Sequence, residues 1–476
     1  MSLSEKGSDS VVDGDVKREH LDSELNADPA FERRTIRRVD LYLLPMLVIL
    51  YSISLTDRIN ISNAYIAGMA ADLQLQIGSR YSIASLIFFV PFILLELPSN
   101  IVMRKIGAAR WIGTITTLWG IVTLGMGFTK TWWELVICRV LLGALESGFL
   151  PACTYIISTW YVRKEIQKRM TAFYIVAVMM AGFSSAIAGG ISEMAGIGGL
   201  GGWQWIFILM GLVTIVCGLG GFVFVQDFPD KNKFLTAEQT AFVLARIDED
   251  RSDAEYDHWT MSKLWCYVTD FHLWLFALML AAAFTTAYSF SLFLPIILVQ
   301  GLGYSVLEAQ LLNSPPSIFA AIFCFGLAWL SDKYTLRAPL LIFQGVMTIV
   351  GLCLTAFHTH NAVRYFGSFL GVAGSAGNIP AILGYMQNNI TGYTKRSFAS
   401  ALTIGGAGIG GIIASTVFRA KDAPAYRPGL WVAIGAQFVI IFTTCIFTVV
   451  FYYKNKAVRE GRAPPIDGRP GFYHMY

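Results

Sequence analysis

Of the chain's 476 residues, 55% are hydrophobic and only 14% charged, and the mean hydropathy is +0.55; such a chain cannot clothe a soluble surface and reads as a polytopic membrane protein. The formal net charge of +4 hides a segregation: residues 1–40 hold ten acids against seven bases, residues 227–270 ten against five, and residues 454–476 two against five. Seven cysteines, mostly in apolar stretches and without paired or metal-ligand spacing, read as small hydrophobes and imply neither a disulfide framework nor a zinc site.

Residues 1–40 are polar with no apolar core before Leu41, so no cleavable signal peptide is expected and the segment reads as a disordered tail. Arg33, Arg34, Arg37 and Arg38 then abut the first apolar window, which by the positive-inside rule places the N-terminus in the cytosol. Apolar windows predict twelve spans, at about 41–69, 81–102, 111–129, 135–158, 171–194, 203–226, 271–299, 308–330, 338–357, 363–388, 398–418 and 429–453. An even number returns the C-terminus to the cytosol. Short loops assigned inside carry eleven Lys or Arg and those assigned outside six, which agrees with that orientation.

Within the first window, sixteen uncharged residues, Leu41 to Thr56, run into Asp57-Arg58-Ile59-Asn60. A charge inside a span costs on the order of 3 kcal/mol even on lenient scales, so it needs a partner or a task. In the fourth window Arg139 and Glu146 stand seven residues apart, on one helix face about two turns from each other. Glycines gather in the fifth window (Gly182, Gly189, Gly190) and the eleventh (Gly405 to Gly411), where helices would pass closely. Pro91, Pro98, Pro295, Pro315, Pro316 and Pro380 interrupt other windows.

Features of the first half recur about 230 residues later: the window starts at 41 and 271, Arg104-Lys105 against Asp332-Lys333, and Lys168-Arg169 against Lys395-Arg396. The expected plan is an all-α membrane protein with twelve transmembrane helices in two six-helix halves. It comprises a cytosolic tail (1–40), an N-terminal half (41–226), a cytosolic linker (227–270), a C-terminal half (271–453) and a cytosolic tail (454–476). Thr236 with Gln239 marks a capping box inside the linker, before Phe242, Val243 and Ile247. The C-terminal half offers few charges, leaving Tyr288, Asn378, Gln387 and Asn388 as polar or aromatic candidates for the binding site. The sequons at Asn60 and Asn389 are discounted, one inside a span and the other on the cytosolic side. No nucleotide-binding glycine loop occurs, which argues against direct ATP use; neither an enzyme nor a nucleic-acid binder is expected, and no cofactor or metal.

An ordered set of stretches resembles the anion:cation symporters of the major facilitator superfamily, and among them the fungal allantoate, nicotinate and vitamin permeases. They are Asp57 to Ile61, Leu95-Glu96-Leu97-Pro98-Ser99-Asn100, Arg139 through Gly143 to Glu146, Trp203-Gln204-Trp205-Ile206-Phe207, Phe228-Pro229-Asp230, Ser291 to Pro295, and Asn389 to Arg396. The resemblance implies that Arg58 engages a substrate carboxylate while Asp57 and Glu146 carry protons. The loop after the second window departs from the superfamily pattern, keeping Arg104, Lys105, Gly107 and Arg110 but no acid.

The resulting expectation is a proton-coupled importer of a small organic anion such as a vitamin, ureide or organic acid. It would be a monomer in the lipid bilayer of the plasma membrane, with Arg58, Arg139, Tyr288, Asn378, Gln387 and Asn388 binding substrate and Asp57 and Glu146 handling the proton. A guanidinium gives bidentate recognition of a carboxylate, and a dry interior disfavours the charged form of a carboxyl. An exporter of an acidic metabolite and a non-transporting nutrient sensor are the alternative readings.

Overall fold

The computed structural model describes residues 29–232, 234–252, 261–334, 336–390, 393–418, 422, 426–464 and 473–475, among which there is no strand. The first group of helices is α1 (Pro29–Ala64), α2 (Arg80–Leu86), α3 (Phe89–Ile106), α4 (Ala108–Met126), α5 (Trp132–Glu146), α6 (Phe149–Trp160), α7 (Arg163–Gly182), α8 (Ser184–Ser192) and α9 (Gly202–Phe224). Two linker helices follow, α10 (Ala237–Ser252) and α11 (Met261–Val268). The second group is α12 (Phe271–Ile296), α13 (Val306–Tyr334), α14 (Ala338–Phe357), α15 (Asn361–Asn389), α16 (Tyr393–Val417) and α17 (Arg427–Arg459).

Among the described residues, 10 helical stretches are long and apolar enough to cross a membrane, and they match all the predicted windows but the second and third. Those two windows are also helical. The second is divided between α2 and α3 and carries Glu96 and Pro98, while α4 is a 19-residue helix diluted by Arg110 and several threonines and glycines. Two boundaries differ from expectation. The first helix starts at Pro29 and takes in all four arginines read as tail, because proline is pre-set for a first helical turn and Glu32 there suits the helix dipole. The last helix runs on to Arg459, with Lys456 and Arg459 favourably placed in its final turn. Residues 1–28 of the expected disordered tail lie outside the described residues.

The same pairs of helices pack in each group: α1 on α7 as α12 on α16, α3 on α5 as α13 on α15, and α4 on α9 as α14 on α17. Helices α1 and α12 also both end in a wide π turn, Tyr65–Met69 and Ile297–Gly301, which strengthens the repeat read from the sequence. Gly406 shows why glycine is needed in α16, since a Cβ there would run into the backbone of Ala277 in α12.

The groups meet along α1 with α12, α7 and α8 with α13, and α2 and α3 with α16. At the end away from the linker this junction is sealed. Tyr65, Met69, Leu73 and Tyr81 share one apolar cluster with Phe290 to Leu298, Phe418 and Tyr426. Polar bonds reinforce it: Tyr81 donates to the Leu292 carbonyl at 3.2 Å, Asn313 to Ser185 at 2.7 Å and Gln310 to the Asn63 carbonyl at 3.3 Å. At the linker end, α10 lays Phe242, Val243 and Ile247 on the first group, and its capping box of Thr236 and Gln239 forms as predicted. Arg246 pins this helix by ion pairs to Glu32 at 2.9 Å and Glu165 at 2.8 Å.

Candidate functional site

Ser54 and Arg58 lie four residues apart on α1, so both project from one face. On α5 the buried residues Leu135, Arg139, Leu142, Gly143 and Glu146 recur at helical spacing, turning that stripe into the bundle. The close passage of α5 against the start of α3 requires Gly143, because a Cβ there would run into the Phe88 carbonyl.

These faces meet at Glu146, which is 1% exposed. Its Oε1 receives Nε of Arg58 at 2.7 Å, forms an ion pair with Nη2 of Arg58 at 2.6 Å, and also accepts the hydroxyl of Ser54. Its Oε2 is buried and has no hydrogen-bond partner. The same guanidinium uses Nη1 to donate to the Tyr288 hydroxyl on α12 at 2.9 Å, so this cluster joins the two groups of helices. Phe88 and Phe92 lie against it, with Cζ of Arg58 at 5.5 and 5.0 Å from their ring centres. Phe89 and Phe284 pack on Tyr288 at 4.9 and 5.4 Å.

Asp57 points elsewhere, as the roughly 100° between successive helical residues requires. Its carboxylate accepts from Trp119 Nε1 at 3.1 Å, Asn60 Nδ2 at 3.3 Å and Thr214 Oγ1 at 3.4 Å, which ties α1 to α4 and α9. Arg139 does not bridge to Glu146 along its own helix. Its Nε donates to the Ala84 carbonyl at 3.3 Å, its Cζ lies 5.1 Å from the centre of the Phe88 ring, and its Nη1 has no hydrogen-bond partner. The two guanidiniums thus flank one phenyl ring, and only Arg58 holds the carboxylate.

In the second group, Asn378 is fully buried and donates to Gln437 Oε1 at 3.0 Å, and Gln437 donates on to Thr286 at 2.8 Å. This amide chain joins α15, α17 and α12 rather than reaching the Arg58 cluster. Gln387 is exposed and Asn388 half-buried, both in the last turn of α15 at the linker end. Of the expected set, then, Arg58, Glu146 and Tyr288 come together, Arg139 lies behind Phe88, and the others stand apart. Sequence reading missed Ser54, although its spacing from Arg58 was a usable signal. It also missed Phe88, Phe92, Trp119 and Thr214, which no local pattern separates from ordinary span residues.

The family model of the Major Facilitator Superfamily matches residues 47–415. The chain belongs to that superfamily. A high-affinity nicotinic acid transporter of Saccharomyces cerevisiae is 28% identical, over 94% of this chain and 85% of the relative. An uncharacterized transporter of Schizosaccharomyces pombe is 30% identical, over 90% and 84%. Among solved structures, a bacterial homologue of the human lysosomal transporter Spinster, inward-facing and unoccupied, matches with a TM-score of 0.63 at 14% identity, covering 92% of this chain and all 100% of its own. The xylose transporter XylE of E. coli, partially occluded and inward-open, matches with a TM-score of 0.63 at 11% identity over 85% and 97%. These likenesses show the fold, and the family and relatives make the chain a multi-pass membrane transporter and not an enzyme.

Proposed function

We propose that this superfamily member couples proton movement to uptake of a small, flat organic anion, a monocarboxylate of the anion:cation symporter type. The observation that carries the reading is the one-sided hydrogen bonding of Glu146: three donors converge on Oε1 and none on Oε2. A substrate carboxylate competes with Oε1 for the planar fork of Arg58. An ionised carboxylate that loses its guanidinium in a dry interior is strongly disfavoured, so a proton binds at the open Oε2 as the anion binds at Arg58. Substrate and proton are then linked through one shared arginine. The phenyl and phenol rings around Arg58 favour a planar substrate, and the relative named for nicotinic acid supports an aromatic or vitamin-like acid. Asp57, engaged by Trp119 and Thr214, is assigned to holding the N-terminal bundle together.

In this reading the linker end faces the cytosol, the sealed end faces outward, and the chain has twelve spans in halves of residues 41–226 and 271–453. Protease tags at residue 250 and in the C-terminal tail should be hidden in sealed cells; cleavage at 250 without permeabilisation overturns that topology. Glu146→Gln mimics the protonated state. It should keep counterflow exchange in proteoliposomes and lose accumulation driven by a pH gradient. A Gln variant that still concentrates substrate on a proton gradient overturns the role of Glu146 and makes Asp57 the main candidate.

A further inference from the structure

Two buried asparagines at the linker end of the C-terminal helices have no part in the Arg58 cluster. Asn389 is the last residue of α15 and Asn455 lies near the end of α17; they are 5% and 2% exposed. Each grips one backbone residue of the segment 473–475 with both ends of its amide. Asn455 donates from Nδ2 to the His474 carbonyl at 2.8 Å and accepts the His474 N–H at 2.9 Å. Asn389 donates to the Met475 carbonyl at 3.1 Å and accepts the Met475 N–H at 2.9 Å.

This pattern of bonds is the one an extended peptide offers. In an extended chain the N–H and C=O of one residue point to one side and those of the next residue to the other. Consecutive residues 474 and 475 are accordingly read by asparagines on different helices. Side chains add selectivity: the His474 ring stacks on Phe451 at 4.2 Å, and Cζ of Arg459 lies 5.0 Å from the centre of the Tyr473 ring. Phe451 in turn stacks on Phe447 at 5.3 Å and packs on Tyr385 of α15 at 6.1 Å, so the segment completes an aromatic column between the two helices.

We propose that Asn389 and Asn455 form a receptor cleft for an extended peptide, and that its occupant is the chain's own Tyr473–Met475 segment, which straps α15 to α17. Pro380 lies inside α15 nine residues before Asn389, and because a proline removes a backbone hydrogen bond from the ladder it marks the point at which residues 381–389 would pivot on the rest of the helix. A strapped α15 cannot make that pivot freely, so the segment acts as a brake on the conformational cycle. The inference stands apart from the choice of substrate and from the role of Glu146.

The test is hydrogen–deuterium exchange of the full-length protein in nanodiscs, comparing wild type with Asn389→Ala and Asn455→Ala. The His474 and Met475 amides should exchange at least about tenfold more slowly than in a free peptide of the same sequence, and each substitution should release them. Exchange at the free-peptide rate in wild type, or protection that survives both substitutions, overturns the cleft. In the same variants, substrate flux at saturation should rise at normal surface abundance, with the half-saturating concentration unchanged. Flux equal to or below that of wild type overturns the brake, whatever the exchange data show.

Discussion

The two bundles bury polarity in different currencies. The N-terminal helices enclose four full charges, with Asp57, Arg139 and Glu146 at most 2% exposed and the Arg58 side chain 12% exposed, whereas the C-terminal helices enclose a neutral chain of Asn378, Gln437 and Thr286. A neutral amide chain carries no charge to be neutralised and responds to neither protons nor anions, although Asn378 Oδ1 is left without a hydrogen-bond partner in it. A buried charge cluster is costly the moment one partner is taken away, and that makes it responsive. In the proposed mechanism the switch belongs to the N-terminal bundle and the C-terminal bundle serves as a fixed wall, with Tyr288 bonded to Arg58 across the two.

The largest effect should come from Arg58. Arg58→Ala and Arg58→Lys should both fall to background uptake, because removing one partner of a buried pair costs about 3–5 kcal/mol and an ammonium cannot reproduce the planar fork. Near-normal apparent affinity in the lysine variant would show that the cluster recognises charge alone. The mirror experiment is Asn378→Leu in the amide chain. Transmembrane side-chain hydrogen bonds average only about 0.6 kcal/mol, so this variant should melt slightly lower with unchanged affinity for substrate. A raised half-saturating concentration at an unchanged melting temperature would make the C-terminal bundle a binding partner in its own right. Between these lies Gly143→Ala, which pushes α5 off the Phe88 backbone. An overpacked core typically costs about 1–3 kcal/mol, so both stability and uptake should drop, whereas alanine at the open position Gly405 should change neither.

How much of this was legible in the sequence follows from which forces are local. The helices and the linker capping box rest on hydropathy and on residues three or four apart, and apart from the early start of α1, the late end of α17 and the split of the second window they stand where the pattern put them. The pairing of Glu146 depended on side-chain reach across helices. A seven-residue spacing put Arg139 on the same face, yet two turns of separation leave it beside Phe88 while Arg58 reaches over from α1. Asp57 and Arg58 are neighbours in the chain and face different helices, which a helical wheel allows but cannot assign without knowing what surrounds α1. Asn389 was readable as a sequon and as the start of a resemblance stretch but not as a peptide-binding residue, since its partner, the Met475 backbone, is 86 residues away.

The smallest predicted effect tests whether pH sensing is confined to the N-terminal bundle. Asp270 caps α12 at the linker end, accepting the His272 N–H at 3.0 Å and the His272 ring nitrogen at 3.1 Å, and it pairs with Lys395 at 2.9 Å. These contacts, the His272 hydrogen bond first and Lys395 after it, hold its carboxyl below the ordinary range. A depressed carboxyl stabilises the fold at every pH above the ordinary value of about 3.9, and that stability is lost only as pH falls through the folded value. Asp270 therefore stays ionised from pH 7 to pH 5 and contributes no slope there. Lys395→Met should lower the melting temperature by only about 1–2 °C at pH 7, as expected for a partly exposed pair, and should move the onset of acid unfolding to higher pH. Its uptake profile between pH 5 and 7 should overlay that of wild type. A displaced profile would mean that a titrating group of the C-terminal bundle takes part in coupling, and the division between switch and wall would fall.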